Sequence, residues 1–181
     1  GSLQRVAYVS TAYVSGNRSA TIYENEDEHP AGFSNTYEQA KYEADSYVRS
    51  LMNRLPVVVF RPSIIVGDSE TGRTTCFNVL YPMMRFLYNG NLSVIPGSPD
   101  TPVDVVPVDF VCDALCHIFF QPNGRTGSVY HLTAGNQAST LSELANFALS
   151  CFRSFSAEPA VYKVTFIPSI LYRMSRNSLS S

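Results

Sequence analysis

The sequence predicts an α/β fold built on a doubly wound parallel sheet, with a small subdomain at the C-terminal end. Three observations lead there. RVAYVST and LPVVVFRPS are unbroken runs of β-formers, the pattern of strands buried on both faces. Between them, Tyr37, Ala40, Ala44, Tyr47, Val48 and Leu51 recur at helical spacing. Strand, crossover helix and parallel strand form the repeating unit of such sheets, and strand and helix patterns keep alternating to residue 167.

RVAYVST stops at a Gly-containing turn and is expected to lie centrally in the sheet. Residues 16–35 carry few core candidates and read as a long surface loop, whose acidic run from Glu24 to Glu28 is expected to be solvated. A helix follows from Thr36 to about Asn53, with the Ser34–Asn35 pair ready as its cap. LPVVVFRPS is a second buried strand closed by Pro62. CFNVLYPMMRFLYNG reads as a helix that Pro82 either kinks or starts, its Met and aromatic side chains forming a core face or a ligand-facing wall. NLSVIPG, PVDVVPV, GSVYHLTAG and VYKVTFI are short strands. DFVCDALCHIFFQ and TLSELANFALSCF are amphipathic helices. Residues 1–135 are assigned to the sheet domain and 136–181 to a helix–strand subdomain, with the Ser-rich end RNSLSS a fraying terminus or a truncation point.

A formal charge of -2, with the two signs well mixed, gives no basic face for nucleic acid or anionic lipid. No segment reaches the roughly 20 apolar residues that span a bilayer, and no secretion signal is visible at the start. Cysteines 76, 112, 116 and 151 lack the spacing of a zinc site or a disulfide scaffold, so no metal is expected and the cytoplasm is the natural compartment. Cys112 and Cys116 are expected to pack on one helix face.

Chemistry enters with Tyr37-Glu38-Gln39-Ala40-Lys41. A four-residue spacing stacks phenol and ammonium on one helix face. A phenol exchanges its proton poorly at neutral pH, and an ammonium beside one favours the phenolate, so such a pair suits acid/base work. The same spacing also occurs in plain surface pairs. Ser10 and Thr11 end the first strand, and open α/β sheets place ligands at strand carboxyl ends. The two point to opposite faces, so one of them is expected to reach a ligand and hydrogen-bond a carbonyl oxygen, unless it only satisfies local backbone groups.

VAYVSTAYVSG, NTYEQAKYEAD and LPVVVFRPSIIVGDSETG, in that order and spacing, resemble the extended short-chain dehydrogenase/reductases, and within them the thioester reductase and fatty acyl-CoA reductase branch. The resemblance covers roughly residues 4 to 135. It implies the C-terminal half of a Rossmann-like domain with a substrate-binding subdomain. It also implies Thr11 as catalytic hydroxyl with Ser10 as second choice, Tyr37 as acid/base, and Lys41 as the lysine that binds nicotinamide ribose and assists the tyrosine. Pro62, Ser63 and Ile64 would border the nicotinamide, Gly67 and Asp68 would shape the substrate-side turn, and Asp109 would cap a helix.

Two features depart from the pattern. Ala40 stands where many members carry Ser or Thr, and the glycine-rich turn that holds a pyrophosphate occurs nowhere in the 181 residues. The expectation is therefore a catalytic half without its nucleotide-binding half. Alone it should bind NADP(H) or NAD(H) weakly, and the open edge of its first strand should take the missing half or a second copy. The function implied is NAD(P)H-dependent reduction of an acyl thioester, on coenzyme A or an acyl carrier protein, to aldehyde or alcohol by the full-length parent. An epimerase, dehydratase or hydroxysteroid-type activity, or a non-enzymatic interaction module, are the alternatives.

Overall fold

The computed structural model describes residues 2–26, 31–77, 79–122, 124–155 and 163–168. In chain order its elements are β1 (Val6–Val9), α1 (Thr36–Ser50), β2 (Val57–Pro62), β3 (Ile64–Val66), α2 (Leu80–Tyr88), β4 (Val94–Pro96) and β5 (Pro102–Val103). They continue with β6 (Val105–Pro107), α3 (Val108–Phe119), β7 (Ser128–Leu132), β8 (Ser139–Thr140), α4 (Leu141–Phe155) and β9 (Thr165–Ile167). A short 3-10 turn, Ala12–Ser15, follows β1. No helix among the described residues is long and apolar enough to cross a membrane.

The chain divides into two compact units, Gly1–Arg73 with Val105–Gly135, and Thr74–Asp104 with Asn136–Ser181. Residues 74–104 thus cluster with the C-terminal segment, because β4 pairs with β9, β5 pairs with β8, and α2 packs on α4.

In the first unit, β1, β2 and β7 form a parallel sheet in that order. The middle strand is therefore β2, and β1, expected at the centre, pairs on one side only among the described residues. Burial follows this order: Val57 to Pro62 are all buried, whereas Val9 is exposed. Residue alternation sends Val58 and Phe60 to one face, where they meet Val106, Val111 and Leu132 in an apolar cluster. Phe60 also stacks on Tyr130, with ring centroids 5.9 Å apart. Val59 and Arg61 turn to the opposite face, toward α1. After Ser63 the chain shifts and β3 pairs in parallel with β6.

Arg5 binds the end of α3, its guanidinium donating to the carbonyls of Phe119, Gln121 and Gly124 and lying over the Phe119 ring. A cation there suits the negative end of the helix dipole. Cys112 and Cys116 are both exposed, contrary to the packed face expected of them, because Val111 takes the buried face of α3.

In the second unit, Leu87, Ile95, Ala145, Leu149 and Val164 form an apolar core. Pro82 sits in the first turn of α2, where its missing N–H costs no helical bond. Residues 156–162 and 169–181, including the Ser-rich end, lie outside the described residues.

Candidate active site

The N-terminus of α1 is fixed by reciprocal caps. The Asn35 side chain accepts from Glu38 N–H (2.9 Å), while the Glu38 carboxylate accepts from Ser34 N–H (2.9 Å) and the Asn35 amide (3.0 Å). Ser34 in turn donates its hydroxyl to Asn17 Oδ1 at 2.6 Å, tying the preceding loop to the helix start. One turn inside this cap are Tyr37 and Lys41, with the Lys41 ammonium 5.8 Å from the centre of the Tyr37 ring and Tyr37 56% exposed.

The parallel strands β1 and β2 end together. Ser10 N–H donates to the Phe60 carbonyl at 2.7 Å, and the Thr11 hydroxyl approaches the Pro62 carbonyl at 3.5 Å while accepting from Tyr13 N–H at 3.3 Å. Thr11 is buried and caps the 3-10 turn, against which α1 packs. Strand alternation separates the two hydroxyls, since Ser10 lies toward Asp45 and Thr11 toward Pro62. Ser63 N–H donates to the Leu132 carbonyl at 3.1 Å, leaving its buried hydroxyl without a hydrogen-bond partner among the described residues. A buried hydroxyl in that state suits a ligand group that completes it.

Gly67 opens the turn toward Arg73. A Cβ there would come within 2.8 Å of the Gly72 carbonyl, so no larger residue fits without a shift. The Asp68 carboxylate holds the turn by accepting from Thr71 N–H (2.8 Å), the Thr71 hydroxyl (2.7 Å) and Glu70 N–H (3.2 Å), bonds that set its pKa below the ordinary range. Asp109, expected as a helix cap, lies inside the first turn of α3, and Pro107 occupies the cap position. Its carboxylate accepts from the Ser69 hydroxyl (2.6 Å) and Ser69 N–H (2.9 Å), which lowers its pKa and pins the turn to α3.

Sequence reasoning missed a charged cluster under the same helix. Tyr37, Lys41, Asp45 and Arg49 are spaced at four residues along one ridge of α1. The first two lie at its open end, whereas Asp45 is fully buried and forms a two-point pair with Arg61, Nε to Oδ1 at 3.1 Å and Nη2 to Oδ2 at 2.5 Å. Arg49 Nε adds a bond to Asp45 Oδ2 at 3.0 Å. Burial pushes the Asp45 carboxyl up, but the bond from Arg61, the nearby Ser10 hydroxyl, and the charges of Arg61 and Arg49 outweigh it and hold the pKa below the ordinary value. Ser10 biases the carboxylate without a hydrogen bond of ordinary length. The missed signal was an arginine inside an otherwise apolar strand, which requires a buried counter-charge.

The acidic run is not simply solvated. Glu24 accepts from His131 N–H at 2.7 Å on the edge of β7, and Glu26 pairs with Arg18 at 2.5 Å. Asp27 and Glu28 lie outside the described residues. Burial, then the Arg61 charge, keep the His131 imidazole below its usual pKa against the pull of Glu24, Asp45 and Glu26. Arg18, Glu26, Tyr42, Arg49, Arg61 and His131 border a cavity of about 20 Å³, a size and polarity suited to one water molecule.

The family profile described as male sterility protein, an NAD-binding family, matches residues 1–115. Over 132 residues the chain is 30% identical to aldehyde reductase lnaA of Aspergillus flavus, an alignment covering 70% of this chain and 12% of that protein. It is 29% identical over 114 residues to fatty acyl-CoA reductase wat of Drosophila melanogaster, covering 56% and 22% respectively. Among solved structures, the terminal R domain from the myxalamid PKS-NRPS biosynthetic pathway superposes with a TM-score of 0.74 at 28% identity, covering 98% of this chain and 42% of that one. The chain thus spans less than half the length of each of these three relatives. The fold it shares with them is α/β and Rossmann-like, and the chain belongs to the NAD-binding family described as male sterility protein.

Proposed function

We propose that this chain supplies the acid/base half of an NAD(P)H-dependent reductase that acts on an acyl thioester, with coenzyme A or an acyl carrier protein as the thiol. The observation that carries the reading is the Tyr37–Lys41 pair at the capped end of α1, on a helix packed against the Thr11 turn. The nicotinamide-ribose end of a cofactor fits Lys41 and the Pro62–Ser63–Ile64 segment, where the Ser63 hydroxyl lacks a partner among the described residues. When bound, a reduced nicotinamide supplies hydride to the thioester carbonyl carbon.

As the carbonyl π electrons move to oxygen, Tyr37 donates its proton there and the Thr11 hydroxyl, released from its long contact with Pro62, hydrogen-bonds the same oxygen. Lys41 favours the resulting phenolate by its charge. The hemithioacetal then loses its hydroxyl proton, the carbonyl re-forms, the C–S bond breaks, and the thiolate leaves and is protonated as the aldehyde is released. Gly67 and Asp68 would shape the turn on the substrate side of the site.

NADPH oxidation with acyl-CoA by the full-length parent tests the reading. Tyr37→Phe is expected to lower the rate about 10²–10⁴-fold; a variant that keeps the parental rate would remove Tyr37 from this role. Turnover of a sugar nucleotide with NAD, and none with thioesters, would assign the site to an epimerase-type reaction instead. The 181 residues carry no glycine-rich turn for a pyrophosphate, so the isolated chain is expected to bind NADPH weakly, and a tight dissociation constant by calorimetry would overturn that.

A further inference from the structure

The chain leaves β3 through a turn that is closed on itself. Inside it, Asp68 N–H donates to the Arg73 carbonyl and Gly72 N–H to the Asp68 carbonyl, both at 2.9 Å. Glu70 and Thr71 give their donors to the Asp68 carboxylate. Residues 68–73 are thus braced to move as one piece, with Gly67 as the joint to β3. Ser69 carries the tie of this piece to α3. β3 and β6 pair in parallel as far as Val66↔Pro107, and β6 then becomes the first turn of α3. Helical carbonyls bond along the helix, so past that rung the ladder has no strand acceptor to offer. The Asp109 carboxylate takes that place, accepting Ser69 N–H at 2.9 Å and the Ser69 hydroxyl at 2.6 Å.

Strand carboxyl ends are where open α/β sheets place ligands, and at most about 13 Å of extended chain separate Gly67 from Ser63. Ser63 borders the nicotinamide in the reductase reading, which puts the turn beyond the reacting end of the cofactor, beside the substrate. We infer that Asp109 is a positioning residue for the substrate: from the head of α3 it sets the angle of the 67–73 turn, and it touches no reacting atom. The inference rests on the reductase reading and adds to it a residue that governs substrate fit. With the clamp gone, the turn swings about Gly67, and the substrate loses contacts that are the same in its ground and transition states. Such a loss raises KM and leaves kcat in place.

The test uses the full-length parent and reads KM and kcat for acyl-CoA, KM for NADPH, and amide hydrogen exchange across residues 68–73. Asp109→Ala should raise the acyl-CoA KM about 5-fold or more, keep kcat and the NADPH KM within about 2-fold, and speed exchange across the turn. Asp109→Asn should restore most of the loss, because its amide oxygen can accept Ser69 N–H while its NH2 group donates to the Ser69 hydroxyl oxygen. Ser69→Ala falls on an exposed side chain and removes one of the two bonds, so it carries the test if Asp109→Ala does not fold. It should raise the acyl-CoA KM about 2- to 3-fold, and adding it to Asp109→Ala should do no further harm. An acyl-CoA KM unmoved by either substitution, an equal rise in the NADPH KM, a loss in kcat alone, unchanged exchange across the turn, or Asp109→Asn as impaired as Asp109→Ala would each sink the inference and leave the reductase reading standing. A wild-type parent that turns over no thioester would remove both, and that result is seen before any variant is made.

Discussion

The two faces of the β1–β2–β7 sheet are built from the same strands and differ in chemistry. Toward α3, Val58, Phe60, Val106, Val111 and Leu132 form an apolar layer of the kind that hydrophobic burial alone assembles. Toward α1, Arg61 and His131 turn in from adjacent strands to face Asp45 and Arg49. An apolar face tolerates exchange of one hydrophobic residue for another of similar volume, whereas a buried ion pair requires both partners in place. The charged face thus fixes one seating of α1 on β2, and α1 is the helix that carries Tyr37 and Lys41. Fold stability and the placing of the candidate chemistry are divided between the two sides of one sheet.

Removing one partner of the buried pair should have the largest effect on stability. Asp45→Ala leaves the Arg61 guanidinium buried without its carboxylate and should cost about 3–5 kcal/mol in urea unfolding. The double change Asp45→Leu with Arg61→Met should recover most of that loss. Failure of the double change to recover would mean that the two faces do not differ in the way described.

At the open end of the same helix the pattern should invert. Under the reductase reading proposed above, Lys41→Met is expected to slow NADPH-dependent reduction about 100-fold while shifting stability by no more than about 0.5 kcal/mol. A large loss of stability with little loss of rate would make Lys41 a structural residue like Asp45. Asn35→Ala removes the cap that aims this end and should cost about 1 kcal/mol, measured as a lower urea midpoint at unchanged slope.

The smallest effect is a pH dependence. Burial depresses the His131 pKa in the folded state, so as pH falls below about 6.5 the unfolded chain takes up this proton first. The stability linked to His131 is therefore complete above that pH and declines as pH drops toward the folded-state value. His131→Gln should flatten the decline in melting temperature between pH 7 and pH 5. Asp45, also depressed, loses its contribution in a more acidic window, below the ordinary carboxylate value. An identical pH slope in the wild type and His131→Gln would show that His131 does not sense the charged face.

Much of this was visible in local sequence. The helix from Thr36, its Asn35 cap and the buried strand ending at Pro62 all rest on propensities and spacings within a few residues, whereas the choice between a kink and a helix start at Pro82 was settled by the structure. The Tyr37–Lys41 pair was visible for the same reason, since a four-residue spacing fixes a shared helix face wherever the helix lies. Sheet order was not visible. RVAYVST reads as a central strand by composition, yet β2 holds the middle among the described residues, because neighbours are set by crossover geometry and not by hydrophobicity.

The sequence by itself determined the helices and the longer strands, where α1 begins, and which residues could exchange protons, but it missed β3 and β8 and read β5 and β6 as one strand. Those properties arise from interactions along a short stretch of chain. Only the tertiary structure decided that Arg61 meets Asp45 across 16 positions, that Glu24 reaches β7 across 107, and that Asp109 holds the turn at Ser69. Such contacts join residues far apart in sequence, and their strength depends on how completely the rest of the fold excludes water around them.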